Sequence, residues 1–189
     1  MKENQKIKIV AVIGKSASGK DSIVKEVLQR EGASAHQIIS HTSRPPRDCE
    51  IDGRDYHFVT AEDFAKAIEE NKMLEVTYFN DWWYGTSIEE LSSTAINVGV
   101  FNPEGVETLL DDDRVELDVY YIIASDKTRM IRQLTREENP NIAEICRRYG
   151  TDEKDFAAHK LDFHYISMEN ETSDDFYDCV ETIRNISFV

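Results

Sequence analysis

The chain of 189 residues carries 37 Asp and Glu against 22 Lys and Arg, a formal charge of −15. That balance speaks against a polyanion-binding surface, which needs a broad basic face, but leaves room for a small phosphate ligand held by a few local cations. The length suits one domain with a full core, and no apolar run approaches a membrane span.

The polar start MKENQKIKIV runs directly into a strand with no secretory signal. Cys49, Cys146 and Cys179 show no metal-type C-x-x-C spacing, and their odd count argues against a disulfide framework. Both features fit a reducing, cytoplasmic setting.

Ile9 to Ile13 is a continuous apolar run, the pattern of a strand buried on both faces of a parallel sheet. It leads into GKSASGKDS, Gly14 to Ser22. Gly14, four residues, Gly19 and Lys20 give the G-x-x-x-x-G-K spacing of a phosphate loop, with Asp21 where a magnesium-binding Ser or Thr belongs. A loop of this kind, here including Ser16 and Ser18, aims backbone N–H groups at phosphate, and Lys20 neutralises the β- and γ-oxygens. Asp21 has no hydroxyl to offer, yet a hard cation accepts a carboxylate oxygen directly or through water. Ser22 carries a hydroxyl, turned about 100° away along the helix. A glycine turn with a surface lysine is the competing reading; the strand–loop–helix context favours the phosphate loop. Ile23, Val24, Val27 and Leu28 then give an amphipathic helix that stops near Gly32.

From Ser40 to Thr86 the rhythm changes. SHTSRPPRDCEIDGRDYHFV sets Arg44 and Arg47 around two prolines that hold the chain extended. Two guanidinium forks on one spot suit a phosphate bidentately, with the Tyr56 hydroxyl nearby. DGRDYHFV and MLEVTYFN read as exposed antiparallel strands on either side of a helix with Phe64 and Ile68 inward. Thr60 is that helix's N-cap, answered by Asp63. Trp82 and Trp83 read as packing for the small sheet.

Ser87 to Glu90 has the form of a capping box opening another helix. Ala95 to Phe101 is a strand ended by Asn102-Pro103, and Asp111 to Asp113 a solvated loop. Val119 to Ala124 is a second continuous apolar run, followed by a helix carrying Met130, Ile131 and Leu134. A polar insert, Arg136 to Phe156, contains Arg136, Arg147 and Arg148; after it come HYISM and a helix with Phe176, Cys179, Val180 and Ile183 on one face. Strands alternating with helices imply an α/β fold with a mostly parallel core sheet flanked by helices.

The arginine segment beside the phosphate loop resembles guanylate kinases, whose acceptor-binding segment reads approximately S-x-T-[ST]-R-x-P-R-x-x-E-x-x-G-x-D-Y-x-F-V. The motif match runs from Gly14 to Thr86, through the helix AEDFAKAIEENK, the strand MLE and the turn YGT at Tyr84 to Thr86; beyond that the likeness is one of element order. The resemblance implies a P-loop NMP-kinase fold in one kinase domain. Its core would be 1–39, 87–135 and 157–189, with a small mixed-sheet acceptor segment at 40–86 and a short helical lid at 136–156. It implies ATP with Mg2+ as phosphoryl donor and GMP or dGMP as acceptor. Position by position, Arg44, Arg47, Tyr56 and Tyr84 would hold the acceptor phosphate, and Ser40, Glu75 and Thr86 would line the purine. A carboxylate at Glu75 accepts both N1–H and the 2-amino group of guanine, which adenine cannot offer together. Lys20 with Arg136 and Arg148 would neutralise the transferring phosphoryl, Arg147 being the close competitor in the lid.

The likeness fails at two positions, where the family's pair of aspartates after the strand at 95–101 reads Val100 and Asn102. Asn102 keeps an acceptor oxygen for a base N–H without the charge. Val100 removes a carboxylate near the metal region and Asp21 supplies one. The GKDS loop also resembles that of phage-type deoxynucleoside monophosphate kinases, so a broader or different deoxynucleotide acceptor is an alternative. A guanylate-kinase-like phosphopeptide-binding module is a second, against which the intact Gly14, Gly19 and Lys20 speak. The implied partners are small nucleotides, with no nucleic acid and no membrane, and the working state is a monomer or homodimer.

Overall fold

The computed structural model describes residues 6–47, 50–79, 81–136, 138–159, 161 and 164–188. Its core is a five-stranded parallel sheet in the order β2-β7-β1-β8-β9. These strands are β1 (Ile7–Ile13), β2 (Ala35–Gln37), β7 (Ile96–Val100), β8 (Val115–Ile123) and β9 (Ile166–Glu169). Every residue from Ile9 to Ile13 is fully buried, as expected for the central strand of a sheet covered on both faces. Alternate side chains feed two cores. Val10 and Val12 pack with Ile23 and Val27 of α1 (Lys20–Glu31) and with Val180 and Ile183 of α6 (Ser173–Ser187). Ile9, Ala11 and Ile13 pack with Val106 and Leu109 of α3 (Pro103–Leu110). Each fully buried Val or Ile contributes about 1.5–3 kcal/mol relative to exposure.

The second sheet has four strands, all between residues 41 and 87, in the order β4-β3-β6-β5: β4 (His57–Phe58), β3 (His41–Thr42), β6 (Trp82–Ser87) and β5 (Met73–Phe79). β4 runs parallel to β3, while β6 is antiparallel to both β3 and β5. The two strands expected to be exposed and antiparallel, β4 and β5, therefore form opposite edges and run in the same direction. The expected turn at Tyr84 to Thr86 is the middle of β6, paired to β5 through Glu75↔Thr86 and Thr77↔Tyr84. Nor is β5 exposed, because Leu74, Glu75 and Thr77 are buried where α3 packs on it. α2 (Ala61–Glu69) has the expected cap, Thr60 accepting from the Asp63 N–H, and buries Phe64 against Trp83 with the rings 6.0 Å apart. Ile68 stays exposed.

Three helix boundaries differ from expectation for local reasons. Ser87 accepts from the Glu89 N–H but opens only a single 3₁₀ turn, Ile88–Glu90. The chain then departs because Asn97 Oδ1 takes the Ser92 N–H at 2.7 Å, holding a Ser/Thr-rich stretch that favours turns over helix. Asn102-Pro103 ends β7 and also opens α3: Asn102 Oδ1 accepts from the Gly105 N–H at 2.8 Å with Pro103 in the first turn. The polar insert is mostly one long helix, α5 (Ile142–Ala158), which follows α4 (Asp126–Thr135) and packs on the core by stacking Phe156 on Tyr121 at 5.4 Å. No described helix is long and apolar enough to cross a membrane.

Candidate functional site

The loops after β1, β7, β8 and β9 all leave the carboxyl ends of the parallel strands, where α/β sheets place their ligands. The loop after β1 is shaped from behind. A Cβ on Gly14 would lie 2.6 Å from Ser18 Oγ and 2.7 Å from the Ile122 carbonyl. Gly19 has φ +97 and its Cβ would strike Asn170 Nδ2, so only glycine fits there. Asn170 Nδ2 donates to the Ser18 carbonyl at 2.7 Å, and Arg132 donates to the same oxygen at 3.2 Å. Arg129 Nε donates to the Ser16 carbonyl at 3.1 Å. With the carbonyls tied back, the first-turn N–H groups of α1, which have no intrahelical acceptor, are left for an anion. Lys20 opens α1 with its side chain only 16 % exposed and Nζ 3.6 Å from Asp21 Oδ2. The Asp21 and Ser22 side chains face solvent.

The arginine segment is organised by Glu50, a residue given no role by the sequence reading. Arg44 is buried, donates to the Glu50 carboxylate at 2.9 Å and to the Pro45 carbonyl at 2.8 Å, and lies over the Tyr56 ring at 5.4 Å. Arg47 meets the same carboxylate through its backbone N–H at 2.9 Å and its guanidinium at 3.2 Å. Glu50 thus holds both forks together. Tyr56 and Tyr84 meet edge to face at 6.1 Å.

The electrostatics tie three parts of the chain to this spot. Burial pushes the Tyr56 hydroxyl up to about 12, and the charge of Asp21 on α1 is the next contributor. Partial burial, then the Arg148 and Arg44 guanidiniums, lower the Arg47 pKa. So the phosphate-loop helix, the arginine segment and α5 converge. In α5, Arg147 and Arg148 both bind Glu144, at 2.7 and 2.8 Å, and the hydrogen bond from Arg147 leads in holding that carboxyl down to about 2. Arg136 caps the end of α4 and is exposed, with no hydrogen bond or ion pair among the described residues. Arg148 is therefore brought to the arginine segment; no contact carries Arg136 there.

On the face of β5 and β6 that also carries Tyr84 lies a buried polar group of a different kind. Glu75 is 6 % exposed, and burial raises its carboxyl to about 7. The Thr86 hydroxyl and N–H beside it draw that value partly back. The Thr86 hydroxyl completes no hydrogen bond of normal geometry, leaving a fully buried polar atom without a partner among the described residues. A Cβ on Gly105 would lie 2.9 Å from Asn102 Oδ1 and 3.1 Å from Glu75 Oε2, which places the amide and the carboxyl side by side. Asn102 Oδ1, expected to face a base, is committed to the Gly105 N–H and lies 3.4 Å from the Thr77 hydroxyl. Because a backbone N–H only donates, the oxygen is fixed there, and the amide's free hydrogen-bonding group is Nδ2, a donor. That corrects the expected acceptor at this position. Ser40 is half-buried just before β3, its carbonyl accepting from the His57 N–H at 2.9 Å.

A parallel sheet feeding a phosphate loop, with an arginine segment and the helix α5 beside it, is the arrangement of a phosphate-loop phosphotransferase. The chain belongs to the guanylate kinase family, whose sequence profile, described as "Guanylate kinase", matches residues 6–185. It is 32 % identical over 165 residues to the guanylate kinase of Wigglesworthia glossinidia brevipalpis, covering 84 % of this chain and 79 % of that one. It is 36 % identical over 118 residues to that of Schizosaccharomyces pombe, covering 62 % and 58 %. The crystal structure of guanylate kinase from Anaplasma phagocytophilum shares the fold with a TM-score of 0.68 at 17 % identity, over 98 % of this chain and 89 % of that one.

The residues that sequence reasoning missed are supports. Glu50 stood inside the quoted motif, but Arg129, Arg132 and Asn170 carry no local pattern. They act at separations of more than 110 residues, which spacing along the chain cannot reveal.

Proposed function

We propose that the chain transfers the γ-phosphoryl group of ATP to GMP or dGMP, giving the nucleoside diphosphate and ADP. The observation that carries this reading is that one chain sets a glycine-shaped phosphate loop at the carboxyl end of its sheet and, in a separate segment, two arginine forks held together on Glu50. In this reading the loop N–H groups and Lys20 hold the β- and γ-phosphates of the donor. Arg44 and Arg47, preset by Glu50, grip the acceptor phosphate together with the Tyr56 and Tyr84 hydroxyls. Burial keeps Tyr56 protonated, with its pKa at about 12, so its hydroxyl donates at any working pH. Arg148 would neutralise the transferring phosphoryl, released from Glu144 when phosphate competes for it, with Arg147 beside it on the same carboxylate; Arg136 would have to move to join them. Catalysis then rests on alignment and charge neutralisation; no side chain acts as a base. The acceptor segment 40–86 and the lid 136–156 close over the core and exclude water.

Asp21 is the carboxylate that fits a magnesium ion, since such an ion keeps most of its shell as water and phosphate oxygens and needs only one or two protein carboxylates. When bound, the ion supplies charge neutralisation at the β- and γ-oxygens. Val100 offers no second carboxylate, so Asp21→Ala is expected to raise the magnesium concentration needed for half-maximal rate.

Glu75 reads the purine as a carboxylate, with the unpartnered Thr86 hydroxyl and Ser40 beside it. The GKDS loop and Asn102 favour a wider acceptor range as the second reading. A panel of ribo- and deoxynucleoside monophosphates in a coupled ADP-release assay tests both. Turnover with GMP or dGMP above all others supports the first, comparable turnover with several deoxynucleotides supports the second, and no turnover with any of them removes both.

A further inference from the structure

Arg129 is 1 % exposed, the largest fully buried side chain in the described structure, and the transfer chemistry above makes no use of its charge. It projects from α4 and binds in three directions. Nε donates to the Ser16 carbonyl of the phosphate loop at 3.1 Å. One terminal nitrogen donates to Asp152 of α5 at 2.9 Å. The other meets Glu153 of α5 at 3.3 Å and Asp126 of its own helix at 3.1 Å. Its face rests on the Tyr149 ring, 5.1 Å from the centroid.

The same two α5 carboxylates close on the loop directly. Asp152 accepts from the Ser16 N–H at 2.8 Å and from the Ser16 hydroxyl at 3.0 Å, and Glu153 accepts from Lys15 Nζ at 2.6 Å. Ser16 is therefore held at its carbonyl by α4 and at its N–H and hydroxyl by α5, and Arg129 joins the two grips. A buried guanidinium is tolerable only while its carboxylates are in place, and removing either member strands the other. Such a network is either made or broken; it does not stretch.

We infer that Arg129 is a positioning residue that locks the lid helix to the phosphate loop through Asp152, so that the loop holds its phosphate-binding shape when α5 is seated. The inference rests on the proposed phosphotransfer reading for its kinetic consequence and on the contacts alone for its structural one. Lys15 and the Ser16 N–H are saturated by lid carboxylates, which leaves Lys20 as the loop's cation for the nucleotide. Among the described residues the acceptor grip at Arg44 and Arg47 shares no hydrogen bond or ion pair with this network, so the effect falls on the donor side.

The test compares the wild-type chain with Asp152→Asn, Arg129→Lys and the double variant. Asparagine keeps the size of a side chain that is only partly buried, so this variant preserves packing. Lysine keeps Arg129's charge but cannot reach the Ser16 carbonyl and two carboxylates at once, so it is expected not to rescue. In the nucleotide-free chain, Asp152→Asn is expected to speed hydrogen exchange in peptides covering residues 14–19 and 142–158 together, leaving 73–87 unchanged. With substrates, each single variant is expected to lower kcat/KM for ATP roughly tenfold, a common size for coupling between sites. The acceptor KM should hold, and the double variant should be no worse than the poorer single one.

A loop whose exchange ignores Asp152→Asn overturns the inference. So do single effects that multiply in the double variant, or ATP and acceptor KM values that rise together with a lowered melting temperature. Failure of the wild-type chain to phosphorylate any nucleoside monophosphate would strike the proposed function instead, and the exchange measurement stands apart from it.

Discussion

Replacing Glu75 by glutamine should stabilise the fold at alkaline pH and leave it nearly unchanged in acid. Burial raises the Glu75 carboxyl from an ordinary 4.5 to about 7, with the Thr86 hydroxyl and N–H opposing the rise and Glu104 adding to it. Between those two values the folded chain binds more protons than the unfolded chain, so stability falls as pH rises. Glu75's favourable contribution is complete below pH 4.5 and gone above about 7. At about 1.4 kcal/mol per pH unit, that interval corresponds to on the order of 3 kcal/mol. Glutamine carries no charge to desolvate and removes this dependence. Urea melts of both proteins at half-unit steps from pH 4.5 to 8.5 measure it directly. The gap in unfolding free energy, variant minus wild type, should widen in favour of glutamine up to about pH 7 and then level off. For a chain of this length each kcal/mol moves the melting temperature by about 2–4 °C, so thermal scans should follow the same course. A gap that stays constant across the range would refute the burial argument, because any fixed cost of the amide cancels from the slope.

Lys20→Ala should cost on the order of 10²–10³ in kcat, as expected for a lost preorganised charge on the transferring group, while urea melts stay close to wild type. Retained turnover would contradict the assignment of the loop. Arg44→Lys should raise the acceptor KM strongly and leave ATP affinity little changed, since one ammonium cannot serve Glu50, the Pro45 carbonyl and a phosphate together; equal weakening of both substrates would count against it. Asn102→Asp should keep the α3 cap with one oxygen and replace the donor Nδ2 by a second acceptor. The preference for GMP over IMP, which lacks the 2-amino group, should then rise roughly tenfold, the worth of one polar contact. An unchanged ratio would show that position 102 does not read the base.

Elements with a long one-sided or fully apolar pattern were legible in the chain. β1, α1, β7, β8 and α6 follow their hydrophobic spacing because burial itself sets it. The acceptor sheet was only half legible. β3 and β4 have two residues each, too short for any alternation, and the aromatic run of β6 was hidden by a glycine that looked like a turn. Asn102 shows the limit for the site. Its identity was plain, but the direction of its amide was set by the Gly105 N–H of a helix not anticipated there. The phosphate loop was visible as spacing, while the groups that hold its carbonyls come from α4 and the loop after β9 and could only be placed by the fold.

The central claim is that α1 and the arginine segment hold two nucleotides for direct transfer. Incubating the full chain with magnesium, GMP and ATP labelled in the γ-phosphate, then separating the products by anion exchange, tests it most directly. The account predicts label in the β-phosphate of GDP, one equivalent per ADP formed, with little release as inorganic phosphate. Label appearing only as inorganic phosphate, or ATP left unconsumed beside GMP, would contradict it.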